Sequence, residues 1–189
     1  MQVTGLETIL LSCRVPKEQQ LNWDGRAFGQ RVLKNDMMIV KIETDEDIVG
    51  IGEPSVYGNP KVMDAWLKEH RSMFIGKDPY DALNLAKPAI HYSRSVNMAL
   101  AGVNQALWDV IGKANKVPVY KLLGGKQTSR VQVYASAGQM GRTVEEIRQE
   151  AEMFREQGFL GYKVRVTPVS YTHLRAHETR HDLVCRLLL

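Results

Sequence analysis

The chain has 189 residues and a formal net charge of +4, with 44% hydrophobic and 24% charged residues, as is ordinary for a globular protein of one or two domains. No basic run interleaves with aromatic residues, and no apolar run approaches the ~18 residues of a membrane span, so nucleic-acid and membrane partners have no support. The first residues do not read as a signal peptide, and Cys13 and Cys185 have no metal or redox spacing, which predicts a cytoplasmic protein.

The first third of the chain predicts a three-stranded antiparallel meander. Residues 5–13, 37–44 and 48–53 are rich in β-branched and apolar side chains, and the acidic turn 45–47 separates the last two strands. The long polar segment 15–33 carries Trp23, and such a loop in a compact domain is functional or disordered. Trp23 could also simply anchor the loop to the core.

Helices follow the meander. A second loop, 53–58, contains Tyr57, and Asn59-Pro60 can start a helix. A further helix is predicted over 80–90, with an interruption near Pro88. From about Arg94 to residue 114 a longer helix is predicted, because apolar residues recur three and four apart and cover two faces: Val96, Ala99, Leu100, Val103, Ala106, Leu107, Val110, Ile111 and Ala114.

After the long helix, Pro118 can open a short helical turn that Gly124 and Gly125 end. A different pattern begins after residue 125, where residues 131–136 read as a strand. Thr143 and Glu146 form a capping box at the start of a helix whose apolar face includes Val144, Ile147, Ala151 and Phe154. A second strand is predicted over 161–166. Strand, helix and strand in about 35 residues predict a βα unit leading into a parallel partner, as at the start of a (β/α) barrel.

The order Ala-Leu-Trp-Asp, Gly-Lys, Pro-Val and Leu-Leu-Gly-Gly within residues 99–125 resembles the signature of the mandelate racemase/muconate lactonizing enzyme family of the enolase superfamily. Asn104 departs from it, since that family usually has an acidic residue or Gln there. The resemblance implies an α+β N-terminal capping domain over 1–125 and the start of a TIM-type barrel over 126–168. It also implies that two capping loops close over the substrate, which makes Trp23 and Tyr57 candidate substrate-binding residues.

Lys163 and Arg165 are the candidate catalytic pair. Residues two apart on a strand project to the same side, so both could point into a barrel, or both could belong to a solvated cationic face. The resemblance favours the barrel, because the family places Lys-x-Lys there and uses the second lysine as a base. Guanidinium stays protonated, so Arg165 suits a carboxylate clamp, and the base is either Lys163 or a residue on a later strand.

The resemblance further implies a magnesium-dependent enzyme, homo-oligomeric in its full-length form, that removes the α-proton of a small carboxylate substrate. We expect an acid-sugar dehydratase; a racemase, epimerase or cycloisomerase, and a non-catalytic binding or assembly module, are the alternatives. The family's metal ligands lie on later barrel strands, so this chain is expected to hold none of them. With two of about eight strands, the chain is expected to be an inactive fragment.

The last segment, residues 169–189, carries His173, His177 and His181 four residues apart. On a helix this spacing would align three imidazoles, which suggests a zinc or nickel site or a coincidence in a polar helix. The run VSYTHLRAHET also resembles a translated sequencing adapter, and on that interpretation the segment is excluded from the fold.

Overall fold

A computed structural model of the chain describes residues 1–17, 33–55, 58–87, 89, 92–138 and 143–164. The chain divides into two compact units. Unit 1 comprises residues 1–14 and 34–127, and unit 2 comprises residues 15–33 and 128–189. Within the described residues, no helix is both long enough and apolar enough to cross a membrane.

Unit 1 begins with the predicted antiparallel meander, in the order β1 (Val3–Arg14), β2 (Lys34–Thr44) and β3 (Val49–Gly52). The register pairs Leu6 with Ile42 and Ile42 with Gly50. Alternate side chains of β2 are buried on the face that the helices cover, which fixes this register because a slip by one residue would expose all of them.

The far end of β1 is more exposed than its beginning. Ile9, Leu10 and Leu11 are each 44–45% exposed, whereas Leu6 is 6% exposed. β3 reaches only as far as Gly52, which lies opposite Val40, so the β1–β2 ribbon continues beyond that point with two strands.

The helices of unit 1 are α1 (Pro60–His70), α2 (Pro79–Leu85), α3 (Arg94–Ala114) and α4 (Val119–Leu122). The Asn59 side chain caps α1, as the Asn-Pro pair suggested. The prediction that the second helix continues to residue 90 was wrong. It ends at Leu85. Ala86 is no longer in the helical conformation, although its N–H still donates to the Ala82 carbonyl.

Helix α3 is the centre of the core, and its predicted start at Arg94 is confirmed. Its buried side chains pack in one core with buried apolar residues of β1, β2, α1 and α2. The helix is buried on more than one face, as the width of its apolar stripe predicted. The fully buried larger side chains of the core are Val3, Met38, Val40, Ile42, Met63, Leu67, Phe74, Leu100, Val103, Leu107, Val110 and Ile111.

Unit 2 contains β4 (Ala135–Ser136), α5 (Val144–Glu156) and β5 (Tyr162–Lys163). The two strands pair in parallel and α5 connects them, so the predicted βα unit is confirmed, although both strands are shorter than predicted. The capping box of Thr143 and Glu146 is present. Val144 is 84% exposed, however, and the prediction that it joins the apolar face of α5 was wrong.

Candidate active site

The described part of the candidate site is the end of the parallel pair in unit 2. The Ala135 N–H donates to the Gly161 carbonyl at 2.9 Å, and the Ala137 N–H donates to the Lys163 carbonyl at 3.2 Å. These bonds place Ala135 beside Tyr162 and Ser136 beside Lys163. The carboxyl ends of both strands therefore lie at one edge of the unit, which in a (β/α) barrel is the edge where active sites are found.

Helix α5 covers one face of this pair. Tyr162 is 5% exposed and packs with Ala135 and Ala151, and its ring centroid lies 5.8 Å from that of Phe154. Strand side chains alternate between faces. Lys163 therefore points away from α5, and it is exposed. In a barrel the helices lie outside the strands, so the face of Lys163 is the one that would line the interior.

A carboxylate on α5 holds the carboxyl ends of the two strands in place. Glu150 Oε2 accepts the Tyr162 hydroxyl at 2.5 Å and the Gly138 N–H at 2.9 Å. Gly138 has φ +65°, and a Cβ there would lie 2.6 Å from Cγ2 of Val164. Any other residue would be strained and would collide, so glycine allows the chain to turn tightly after β4.

Ser136 is the residue that the sequence analysis missed. The parallel register puts it next to Lys163 on the same face, where it too is exposed. Its hydroxyl can donate and accept hydrogen bonds beside the lysine. The only signal in the sequence was its place at the end of a predicted strand, which does not reveal which residue of the partner strand lies beside it.

The other candidate residues, Trp23, Tyr57 and Arg165, lie outside the described residues, as do the three histidines of the last segment. What is described is how the loop that carries Tyr57 is attached within unit 1. The Glu53 N–H donates to Gln105 Oε1 at 3.0 Å, and the Asn59 N–H donates to Ser95 Oγ at 3.1 Å. Helix α3 therefore fixes both ends of that loop.

The described residues do not form a metal site. They contain no group of three or more His, Cys, Asp or Glu side chains placed to hold a metal ion. The carboxylate of the candidate region, Glu150, is occupied by its hydrogen bonds to Tyr162 and Gly138. Magnesium prefers several oxygen ligands in octahedral geometry, and this part of the chain does not provide them.

Comparison with known proteins agrees with the architecture of unit 1. Residues 26–124, just over half of the chain, match the model of the mandelate racemase / muconate lactonizing enzyme, N-terminal domain. The chain belongs to this family. Its three-stranded sheet and packed helices are those of the N-terminal capping domain of the mandelate racemase/muconate lactonizing enzyme family.

Two curated relatives are D-galactonate dehydratases. That of Variovorax paradoxus is 39% identical over 132 residues, which cover 67% of this chain and 34% of the relative. That of Pectobacterium atrosepticum is 37% identical over 132 residues, with the same shares of the two chains. The matched segment thus spans about a third of the length of these members of the mandelate racemase/muconate lactonizing enzyme family.

Among solved structures, a member of the enolase superfamily from Polaromonas sp. JS666 superposes with a TM-score of 0.74 at 28% sequence identity. The alignment covers 93% of this chain and 47% of that one. The aligned share extends well beyond the capping domain, so the likeness includes residues that follow the family match.

Proposed function

We propose that this chain is the N-terminal part of an acid-sugar dehydratase, which removes the proton next to the carboxylate of a sugar acid and then eliminates a β-hydroxyl. The observation that carries the proposal is the 37–39% identity to two D-galactonate dehydratases over 132 residues. A sugar acid such as galactonate is the proposed substrate class. The matched segment spans about a third of these relatives, and we propose that catalysis requires the rest of the longer protein.

Lys163 is the proposed base. It ends β5, it points away from α5, and Ser136 lies beside it on the same face. A lysine takes up a proton through its neutral amine, and the proposed role of Lys163 in the longer enzyme is to accept the substrate α-proton in this way. Arg165, two residues further on, is proposed to hold the substrate carboxylate as a permanent cation.

Trp23 and Tyr57 are proposed to contact the substrate from the two loops of the capping domain. For Tyr57, the support is that the N–H groups of Glu53 and Asn59, at the two ends of its loop, donate hydrogen bonds to side chains of α3. For Trp23, the support is its place in a long polar segment between two paired strands. We further propose that the longer enzyme is cytoplasmic and assembles from identical subunits.

Magnesium is proposed as the cofactor of the longer enzyme, bound by carboxylates outside the described residues. When bound, a divalent ion offsets negative charge that develops on a carboxylate as its α-proton leaves. This role of the ion is separate from the proposed role of Lys163, whose amine accepts the α-proton.

The decisive experiment uses the full-length protein with D-galactonate and magnesium in D₂O. The unaltered enzyme is expected to eliminate water and to exchange the α-proton of unreacted substrate for deuterium, and Lys163→Ala is expected to lose both activities. Lys121→Ala, which alters an exposed lysine on α4, is the matched control and should keep both.

Each other result has a defined meaning. Normal exchange in Lys163→Ala would show that the base lies elsewhere. Deuterium incorporation with inversion and without loss of water would replace the dehydratase with a racemase or epimerase. Failure of every sugar acid to be turned over, together with no thermal stabilisation by sugar acid and magnesium, would favour a binding or assembly module.

A further inference from the structure

β3 is the last strand of the three-stranded sheet, so one of its two edges faces away from β2. Gly50 and Gly52 lie opposite Ile42 and Val40 in the pairing with β2. Backbone groups of successive strand residues alternate in direction, so those of the residues between and beyond the glycines point outward. An open row of N–H and C=O groups is a template on which another strand can pair.

Three side chains of α3 bond to these outward groups. Asp109 Oδ2 accepts the Ile51 N–H at 2.9 Å, and Lys113 Nζ donates to the Val49 carbonyl at 2.7 Å. The third bond is the one from the Glu53 N–H to Gln105, already described as an anchor of the loop. We call Gln105, Asp109 and Lys113 the edge ladder.

The chemistry of each member of the edge ladder matches its partner. The two N–H groups face an amide oxygen and a carboxylate, which accept, whereas the carbonyl faces an ammonium, which donates only. The members are four residues apart on the helix and bond at every second residue of the strand. Asp109 and Lys113 also form an ion pair at 2.8 Å, so each holds the other in position.

We propose that the edge ladder acts in place of a fourth strand and prevents β3 from pairing with β3 of a second copy of this chain. The strand sequence Val-Gly-Ile-Gly has no charge of its own, and Ile51 is 45% exposed. Two copies of β3 paired antiparallel about Ile51 would use the same N–H and C=O groups that the edge ladder occupies. An uncharged edge strand with an exposed β-branched residue needs such protection.

Amide hydrogen exchange tests the bonds directly. In the unaltered 189-residue chain, the amides of Ile51 and Glu53 are expected to be protected. Asp109→Ala should accelerate exchange at Ile51 by up to about tenfold, whereas Asp109→Asn, which keeps an acceptor oxygen, should leave it nearly unchanged. Exchange at Ile51 that is unprotected in the unaltered chain, or equal in all three proteins, would overturn the proposal.

Sedimentation velocity tests the consequence. The triple variant Gln105→Ala, Asp109→Ala, Lys113→Ala keeps strong helix formers in α3 and opens the whole edge. It is expected to form dimers as concentration rises, with nuclear Overhauser contacts across β3 between isotope-labelled and unlabelled copies.

Unchanged sedimentation with native circular dichroism would overturn the proposal, as would dimers that lack the contacts across β3. If the triple variant does not fold, Asp109→Ala, which opens the middle of the edge, is measured in the same way and judged by the same outcomes.

Discussion

Gly52 of β3 lies against Gly102 of α3, so close that a Cβ on Gly52 would be 2.0 Å from the Gly102 carbonyl oxygen. Gly50 meets α3 in the same way, since its Cβ would be 2.1 Å from the Ala106 carbonyl oxygen. These distances are far below any contact that a real side chain makes. The strand therefore packs directly on the helix backbone, and this approach also brings the edge ladder within reach of β3.

Gly52→Ala is expected to reduce the free energy of unfolding by about 3 kcal/mol, because the rigid backbone of α3 cannot move away from the new methyl group. Chemical denaturation measures the change. Gly76→Ala is the comparison, since Gly76 has φ +76° with no atom within 4 Å of a new Cβ. That change should lose only about 1 kcal/mol, from backbone strain alone. Equal losses would contradict the close packing.

Asn97→Ala is expected to lower the free energy of unfolding by about 2 kcal/mol. The Asn97 side chain accepts the Ala89 N–H at 2.9 Å and donates to the carbonyls of Ala89 and Tyr92, so it holds the segment that leads into α3. Asn104→Ala, on the same helix, is the control. A loss no larger than the control's in a denaturation experiment would show that the segment holds without Asn97.

The stability of unit 1 is expected to fall in acid partly through Asp64. Burial raises the pKa of this carboxyl, but hydrogen bonds from the Thr8 hydroxyl and the Lys68 ammonium outweigh burial and hold the pKa below its ordinary value of 3.8. A folded-state pKa below the unfolded one adds stability above the unfolded pKa, and this stability is lost as the pH falls through the folded pKa.

Asp64→Asn should therefore flatten the dependence of unfolding free energy on pH below about pH 4. Denaturation curves at several acidic pH values measure this slope. Asp81→Asn, which changes an exposed acid on α2, provides the control. An unchanged slope in Asp64→Asn would show that Asp64 does not contribute to the loss of stability in acid.

Thr143→Ala is expected to destabilise the first turn of α5 by about 1 kcal/mol, because it removes the hydroxyl that accepts the Glu146 N–H at 3.2 Å. Thr143→Ser keeps that hydroxyl and should behave like the unaltered chain. Amide exchange of residues 145–147 measures the difference. Equal exchange in the alanine and serine variants would show that the cap does not stabilise the helix.

Local signals predicted much of the fold. The three strands, the start of α3 and the cap at Thr143 each follow from a few neighbouring residues, and all three were confirmed. The errors came where a neighbour in space decides the outcome. Val144 was placed on the apolar face of α5 from its spacing alone, yet it is 84% exposed, because spacing does not show which positions a neighbouring element covers.

The candidate site was predicted less completely. The spacing of Lys163 and Arg165 indicated a shared face, but the face itself became clear only from Tyr162, which packs under α5 on the other side. Ser136 was missed because its relation to Lys163 depends on the strand register. The polar residues of α3 were likewise read only as part of a packing helix, since the edge they cover is formed by residues more than fifty positions away.

The spacing of the edge ladder limits how long a strand it can cover. Four residues of α-helix advance about 6 Å, whereas two residues of antiparallel strand advance about 6.8 Å, so successive bonds drift out of step by about 0.8 Å. The short Asp109 lies at the middle, and the longer Gln105 and Lys113 absorb the drift at each end. A fourth bond at either end would lie two steps from Asp109, which is a drift of about 1.6 Å. A helix can therefore protect only a strand about as short as β3, and lengthening β3 would require a real neighbouring strand.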